Sequence, residues 1–123
     1  MVLVHGGVEW SAFPSGEQKM LYRRIVRNGA DLVVGSHPHV LQGMEVYGNG
    51  LIAYSLGNFL FPGMEGTPGG TDSVILRVGV WRGKTRYVQA FGVRLSGLRV
   101  RQDQTRSIRL RFLESTRALN EPR

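Results

Sequence analysis

Cysteine is absent from the 123 residues. That absence excludes disulfides, zinc–thiolate sites and a cysteine nucleophile, and it leaves the redox compartment open. Long apolar runs are also missing: none approaches the roughly 20 residues that cross a bilayer. No secretory or anchoring pattern is legible within these residues, and localisation is left open. Acidic residues are few, nine against sixteen basic ones, which gives a net charge of +7. The shortage is uneven. Residues 1–72 carry four basic and six acidic side chains, whereas residues 73–123 carry twelve and three. All but two of the basic residues are arginine. Such a balance suits contact with a polyanion (nucleic acid, an acidic polymer, anionic lipid) or simply a solvated basic surface. No zinc finger, helix-turn-helix or aromatic Gly-rich strand accompanies it, so no specific nucleic-acid partner is expected.

Histidine is scarce as well, and its placement is informative. The three histidines all follow short apolar runs. His5 ends Val2-Leu3-Val4, and His37 and His39 lie in Gly35-Ser36-His37-Pro38-His39, just past Leu32-Val33-Val34. In α/β proteins ligands gather outside the carboxyl ends of sheet strands. Three imidazoles at such an edge point to a metal site. Pro38 biases His37 toward an extended conformation, in which positions i and i+2 face the same side. Both rings would then face one ion.

The length allows one domain with a modest core. Residues 2–5 read as a buried strand. Ser15-Gly16-Glu17-Gln18 has the form of a capping box, and Met20, Leu21, Ile25 and Val26 then supply an apolar stripe at helical spacing. Asn28-Gly29 stops that helix, and a strand follows at about 31–35, which completes a βαβ unit. Residues 40–55 read as a hairpin around Gly48-Asn49-Gly50. Residues 62–72, rich in Gly, Pro and Thr, form a loop. Residues 73–81 and 85–95 form a second hairpin around Arg82-Gly83-Lys84. The segment 98–112 is strand or irregular, 108–119 fits a short helix, and 120–123 should fray. The chain begins on a strand at once, which suggests the latter part of something larger.

Three blocks resemble one family. Gly29-Ala30-Asp31-Leu32-Val33-Val34-Gly35-Ser36-His37-Pro38-His39-Val40-Leu41-Gln42 resembles a signature of the CapA family of capsule (poly-γ-glutamate) synthesis proteins, whose fold is metallophosphoesterase-like (calcineurin-like). Ile52-Ala53-Tyr54-Ser55-Leu56-Gly57-Asn58-Phe59-Leu60-Phe61 resembles its second hallmark, and His5-Gly6-Gly7-Val8-Glu9-Trp10 a third, usually His-Trp-Gly-x-Glu-Tyr. The resemblance covers about residues 1–95; the arginine-rich extension 96–123 matches no block.

The resemblance implies an α/β (mixed α+β) fold, the C-terminal half of a four-layer αββα sandwich in which a βαβ unit is followed by hairpins. It implies His5, His37 and His39 as ligands of a divalent metal (Mn, Fe, Zn or Co). Glu9 and His37 are the catalytic candidates, Glu9 as a base or as a group that orients a ligand. Ser55 and Asn58 are expected to stand behind the ligands or to structure their loop. Two departures stand out. Gly6 replaces the family's usual tryptophan, and the family's N-terminal half, which carries the bridging ligands, does not precede His5. Three imidazoles can hold one ion with open positions, so a dinuclear site would need that half. The partners expected are therefore that half or a complementary chain, an acidic polymer such as polyglutamate or a phosphorylated substrate, and self-association through an exposed apolar sheet edge. The activity expected is that of a metal-dependent phosphoesterase, incomplete in this chain. The alternatives are a non-catalytic polyanion-binding envelope module and an inactive remnant.

Overall fold

The computed structural model describes residues 1–121. Strand β1 (Val2–His5), helix α1 (Gly16–Arg27) and strand β2 (Leu32–Ser36) form the βαβ unit, with β1 and β2 parallel. The hairpin β3 (Leu41–Tyr47) and β4 (Gly50–Leu56) then joins the same sheet. It is β4 that pairs parallel with β2, so the order is β1-β2-β4-β3. A second, antiparallel sheet has the order β5 (Asp72–Trp81), β6 (Lys84–Ser96), β7 (Arg99–Gln102). Helix α2 (Ser107–Asn120) closes the chain.

The apolar run of β4 explains its central place. Side chains alternate across a strand. Ile52 and Tyr54 pack with Tyr22, Val26 and Val33 under α1. Leu51 and Ala53 face the other way, onto Met44, Val74, Ala90, Ile108 and Phe112. β4 is therefore covered by α1 on one face and by α2 with the second sheet on the other. Two glycines permit the close contacts. A Cβ at Gly35 would lie 2.6 Å from the Tyr22 hydroxyl, and one at Gly43 2.5 Å from the Thr116 backbone nitrogen of α2. Glu45, buried in β3, accepts a forked contact from Arg23 and a 2.6 Å hydrogen bond from the Tyr54 hydroxyl. Burial alone would raise the Glu45 carboxyl, but the hydrogen bonds from Arg23 and Tyr54 outweigh it and leave it lowered. The Tyr54 hydroxyl is pushed far up, by burial first and then by Glu45.

Three details differ from the sequence reading. β1 is not buried, because it is the edge strand: Val2 and Leu3 are exposed. An open apolar groove runs from Leu3 and Val34 past Phe59 to Ile75 of the second sheet. On α1 the buried positions are Gln18, Tyr22 and Val26, while Met20 and Leu21 are exposed. Polar ends kept Gln18 and Tyr22 out of an apolar stripe, yet the Gln18 amide donates to Gln42 and to the Tyr54 carbonyl inside the core. Finally, Asn120 is tied down rather than frayed: its side chain donates to the Met44 carbonyl and accepts from the Val46 N–H of β3. Residues 122–123 of that expected frayed end lie outside the described residues.

Helix α2 starts without a side-chain cap at Arg106. Asp103 does the work instead, accepting from the Ile108 N–H at 2.8 Å and from Thr105 and Ser107. The Thr105 hydroxyl, followed by the Ile108 N–H, holds its carboxyl down at about 2. A folded value below the unfolded one stabilises fully above the ordinary carboxylate range and is lost as pH falls through about 2. Asp103→Ala is therefore expected to lower the melting temperature by a few degrees at neutral pH and by progressively less toward pH 2. Thermal melts of both proteins across that range check it, and a constant difference would refute the cap.

Candidate metal centre

Because β1 and β2 are parallel with His5 level with Ser36, their carboxyl ends open at one edge of the sheet. The loops that leave them are joined by backbone hydrogen bonds, Gly6 N–H to the Ser36 carbonyl at 3.0 Å and Trp10 N–H to the Pro38 carbonyl at 2.9 Å. Glu9 is thereby carried to the His-Pro-His loop. β4, running parallel to β2, delivers Asn58 and Phe61 to the same edge.

One donor atom each of Glu9, His37 and His39 lies within 4.8 Å of the others. Ligands on a tetrahedral ion with bonds of 2.0–2.1 Å sit about 3.3 Å apart, so small side-chain rotations close the set. Glu9 is exposed and the two histidines are half-buried, which leaves the carboxylate free to make that move. His5 lies beside this group: its ring centroid is 4.9 Å from that of His37, and its Nδ1 is 3.1 Å from the Ser36 hydroxyl. Of the four candidates, the geometry groups Glu9 with His37 and His39, and places His5 next to His37.

Asn58 fixes the chemistry of one ring. Its amide nitrogen donates to the carbonyls of His39 (3.2 Å) and Gly70 (2.9 Å). The amide oxygen must then be the atom 2.8 Å from His39 Nδ1. An amide oxygen only accepts, so Nδ1 carries the proton and Nε2 presents its lone pair. This is the arrangement that metal-binding histidines use, with the second nitrogen donating to a neighbour. The donor set of two imidazoles and a carboxylate suits Zn, Mn, Fe or Co, and the residues present fit such an ion. Ser55, fully buried, accepts from the Gly57 N–H at 3.3 Å and shapes the turn before Asn58.

Pro38 does not hold His37 extended. His37 has φ 102° and His39 φ 61°, and Trp10 also lies at φ 61°. The rings reach one side through left-handed backbone, with their centroids 5.9 Å apart. Non-glycine residues in this region carry strain of order 1–3 kcal/mol each, held by their surroundings. Two aromatic walls were not picked out from the sequence as parts of the site. Trp10 stacks on His39 (centroids 5.3 Å, 25° between planes), and Phe61 packs against it at 5.2 Å. Trp10 restores an aromatic surface that Gly6 lacks, and its place one residue after Glu9 was the available signal. Ser36, beside His5, was also passed over.

Fold and site together define a mixed α/β chain with a histidine–carboxylate cluster at the open edge of parallel strands. Residues 1–63 match the family described as "Bacterial capsule synthesis protein PGA_cap", and the chain belongs to that family. The match contains every residue of the cluster. Over 61 residues the chain is 51% identical to "Capsule biosynthesis protein CapA" of Bacillus anthracis, covering 50% of this chain and 15% of that protein. It is 48% identical over 61 residues to "PGA biosynthesis protein CapA" of Bacillus subtilis, 50% of this chain and 16% of that one. An uncharacterized Sinorhizobium fredii protein, y4sH, is 41% identical over 68 residues, 55% of this chain and 14% of its own. The chain thus matches about one-seventh of the length of these relatives.

Proposed function

We propose that this chain holds one divalent ion through Glu9, His37 and His39, with His5 adjacent, as part of a metal-dependent phosphoesterase-like centre serving capsular polymer synthesis. The observation that carries the reading is the convergence of three donor atoms within 4.8 Å at the sheet edge. The tautomer that Asn58 imposes on His39 supports it. When bound, such an ion polarises a phosphoryl oxygen or lowers the pKa of a water. The chain's own groups do the rest. Trp10 and Phe61 wall His39 and exclude water from one side of it, and the exposed Glu9 serves as the movable donor. A dinuclear centre would require ligands from outside this chain, either from a further part of a longer protein or from a complementary one. A phosphorylated intermediate of polymer synthesis is the substrate class this chemistry fits.

Metal analysis of the purified, monodisperse chain tests the reading. About one tightly held divalent ion per chain is expected, and His37→Ala/His39→Ala should remove it. A well-folded chain that takes up no Mn, Fe, Zn or Co would sink the proposal.

A further inference from the structure

The second sheet has an unusual charge distribution. Between Ser73 and Gln102 there is no aspartate or glutamate. Arg94 pairs with Asp72. Among the described residues, Arg77, Arg82, Lys84, Arg86, Arg99 and Arg101 take part in no ion pair.

The outer half of the β5–β6 hairpin runs on past the core. Val74 and Ala90 belong to the core, with Leu76 and Val88 packed against it. Beyond them Val80, Trp81 and Tyr87 are 62%, 64% and 56% exposed. Both turn residues, Arg82 (φ 50°) and Gly83 (φ 74°), have positive φ, as in the type I′ turn that matches strand twist. The tip is therefore preformed, and ordering it on contact costs little.

An indole and a valine at the tip of a hairpin, ringed by cations and free of acids, match the chemistry of a bilayer interface. Indole rings settle at the headgroup level, and arginine and lysine pair with anionic headgroups. A soluble polyanion would use the cations but leave Val80 and Trp81 in water. We propose that the hairpin tip, residues 80–87, docks on an anionic lipid surface, with Val80 and Trp81 entering the interface and Arg82, Lys84 and Arg86 contacting the headgroups.

Cosedimentation with phosphatidylcholine vesicles, with and without phosphatidylglycerol, tests this. The chain should bind the anionic vesicles in a salt-sensitive manner. The bound chain should show a blue shift in tryptophan emission that is absent in Trp81→Phe, Trp10 being the other tryptophan. Val80→Ser/Trp81→Ser should weaken vesicle binding about tenfold or more with an unchanged melting temperature, since both side chains are exposed. Arg82→Ser/Lys84→Ser/Arg86→Ser should remove the preference for anionic lipid. Absence of vesicle binding, or binding that survives both variants, overturns the proposal. So does tight binding of soluble polyglutamate that is indifferent to Val80→Ser/Trp81→Ser and blocks the vesicles, which would assign the surface to an acidic polymer.

Discussion

Asn58→Ala should lower the affinity for a divalent ion by about 10–100-fold, the usual effect of removing the partner that orients a ligating histidine. The side chain makes three hydrogen bonds, one to His39 Nδ1 and two that pin the carbonyls of His39 and Gly70. Without it, Nδ1 no longer has a reason to keep the proton, and Nε2 is protonated in part of the population. The ring must then lose that proton before it can bind. The variant also leaves two partly buried carbonyls unpaired, at a cost of about 1–3 kcal/mol each, so stability will fall as well. Nitrogen chemical shifts of His39 separate the two effects, because they report the tautomer in the metal-free protein. Wild type should show an Nδ1-protonated ring, and the variant a mixture. An unchanged tautomer with unchanged metal affinity would remove Asn58 from the site and leave it a loop residue.

Phe112→Ala should destabilise the fold by about 3–5 kcal/mol, a large share of the roughly 5–15 kcal/mol that holds a domain together. Phe112 is fully buried where α2 meets both sheets, among Met44, Leu51, Ala53, Val74, Ala90 and Ile108. Gly43 lets the helix backbone come down onto β3, so neighbours cannot collapse into the cavity without moving the helix. Leu110→Ala, on the exposed side of the same helix, should stay within about 0.5 kcal/mol. Urea denaturation of the pair is the measurement. A loss below about 1 kcal/mol for Phe112→Ala would mean that α2 is not packed as described.

Local signals in the sequence located most elements. The Ser15–Gln18 capping box gave α1, and Ser15 does accept from the Gln18 N–H. Gly48-Asn49-Gly50 gave the β3–β4 hairpin, and Arg82-Gly83 the β5–β6 hairpin. The pairing of β2 with β4 was not legible, because nothing local says which strand will stand between two others. The unbroken apolar run of β4 was the clue, since only a strand covered on both faces needs one. The apolar pattern of α1 misled because amphipathic side chains bury their bodies while a polar atom at the end finds a partner, as the Tyr22 hydroxyl and the Gln18 amide nitrogen do. At the site, the apolar run before His37 and His39 placed them at the end of a strand, and the structure has them there beside Glu9, which the family resemblance had named. The backbone that brings the rings together was not foreseeable: propensity favours extended His37, and the interlocked loops impose φ 102° instead. Trp10 and Phe61 were hidden because an aromatic beside a motif reads equally well as core.

The left-handed backbone at Trp10, His37 and His39 sets the interests of the fold against those of the cluster. Glycine is the residue that rests easily at such angles, so the changes that would relax these loops most are the ones that erase an imidazole or the indole stacked on it. An engineer who ranked substitutions by durability alone would begin at His37 and His39, and would finish with a sturdier chain from which two of the three converging donors are gone.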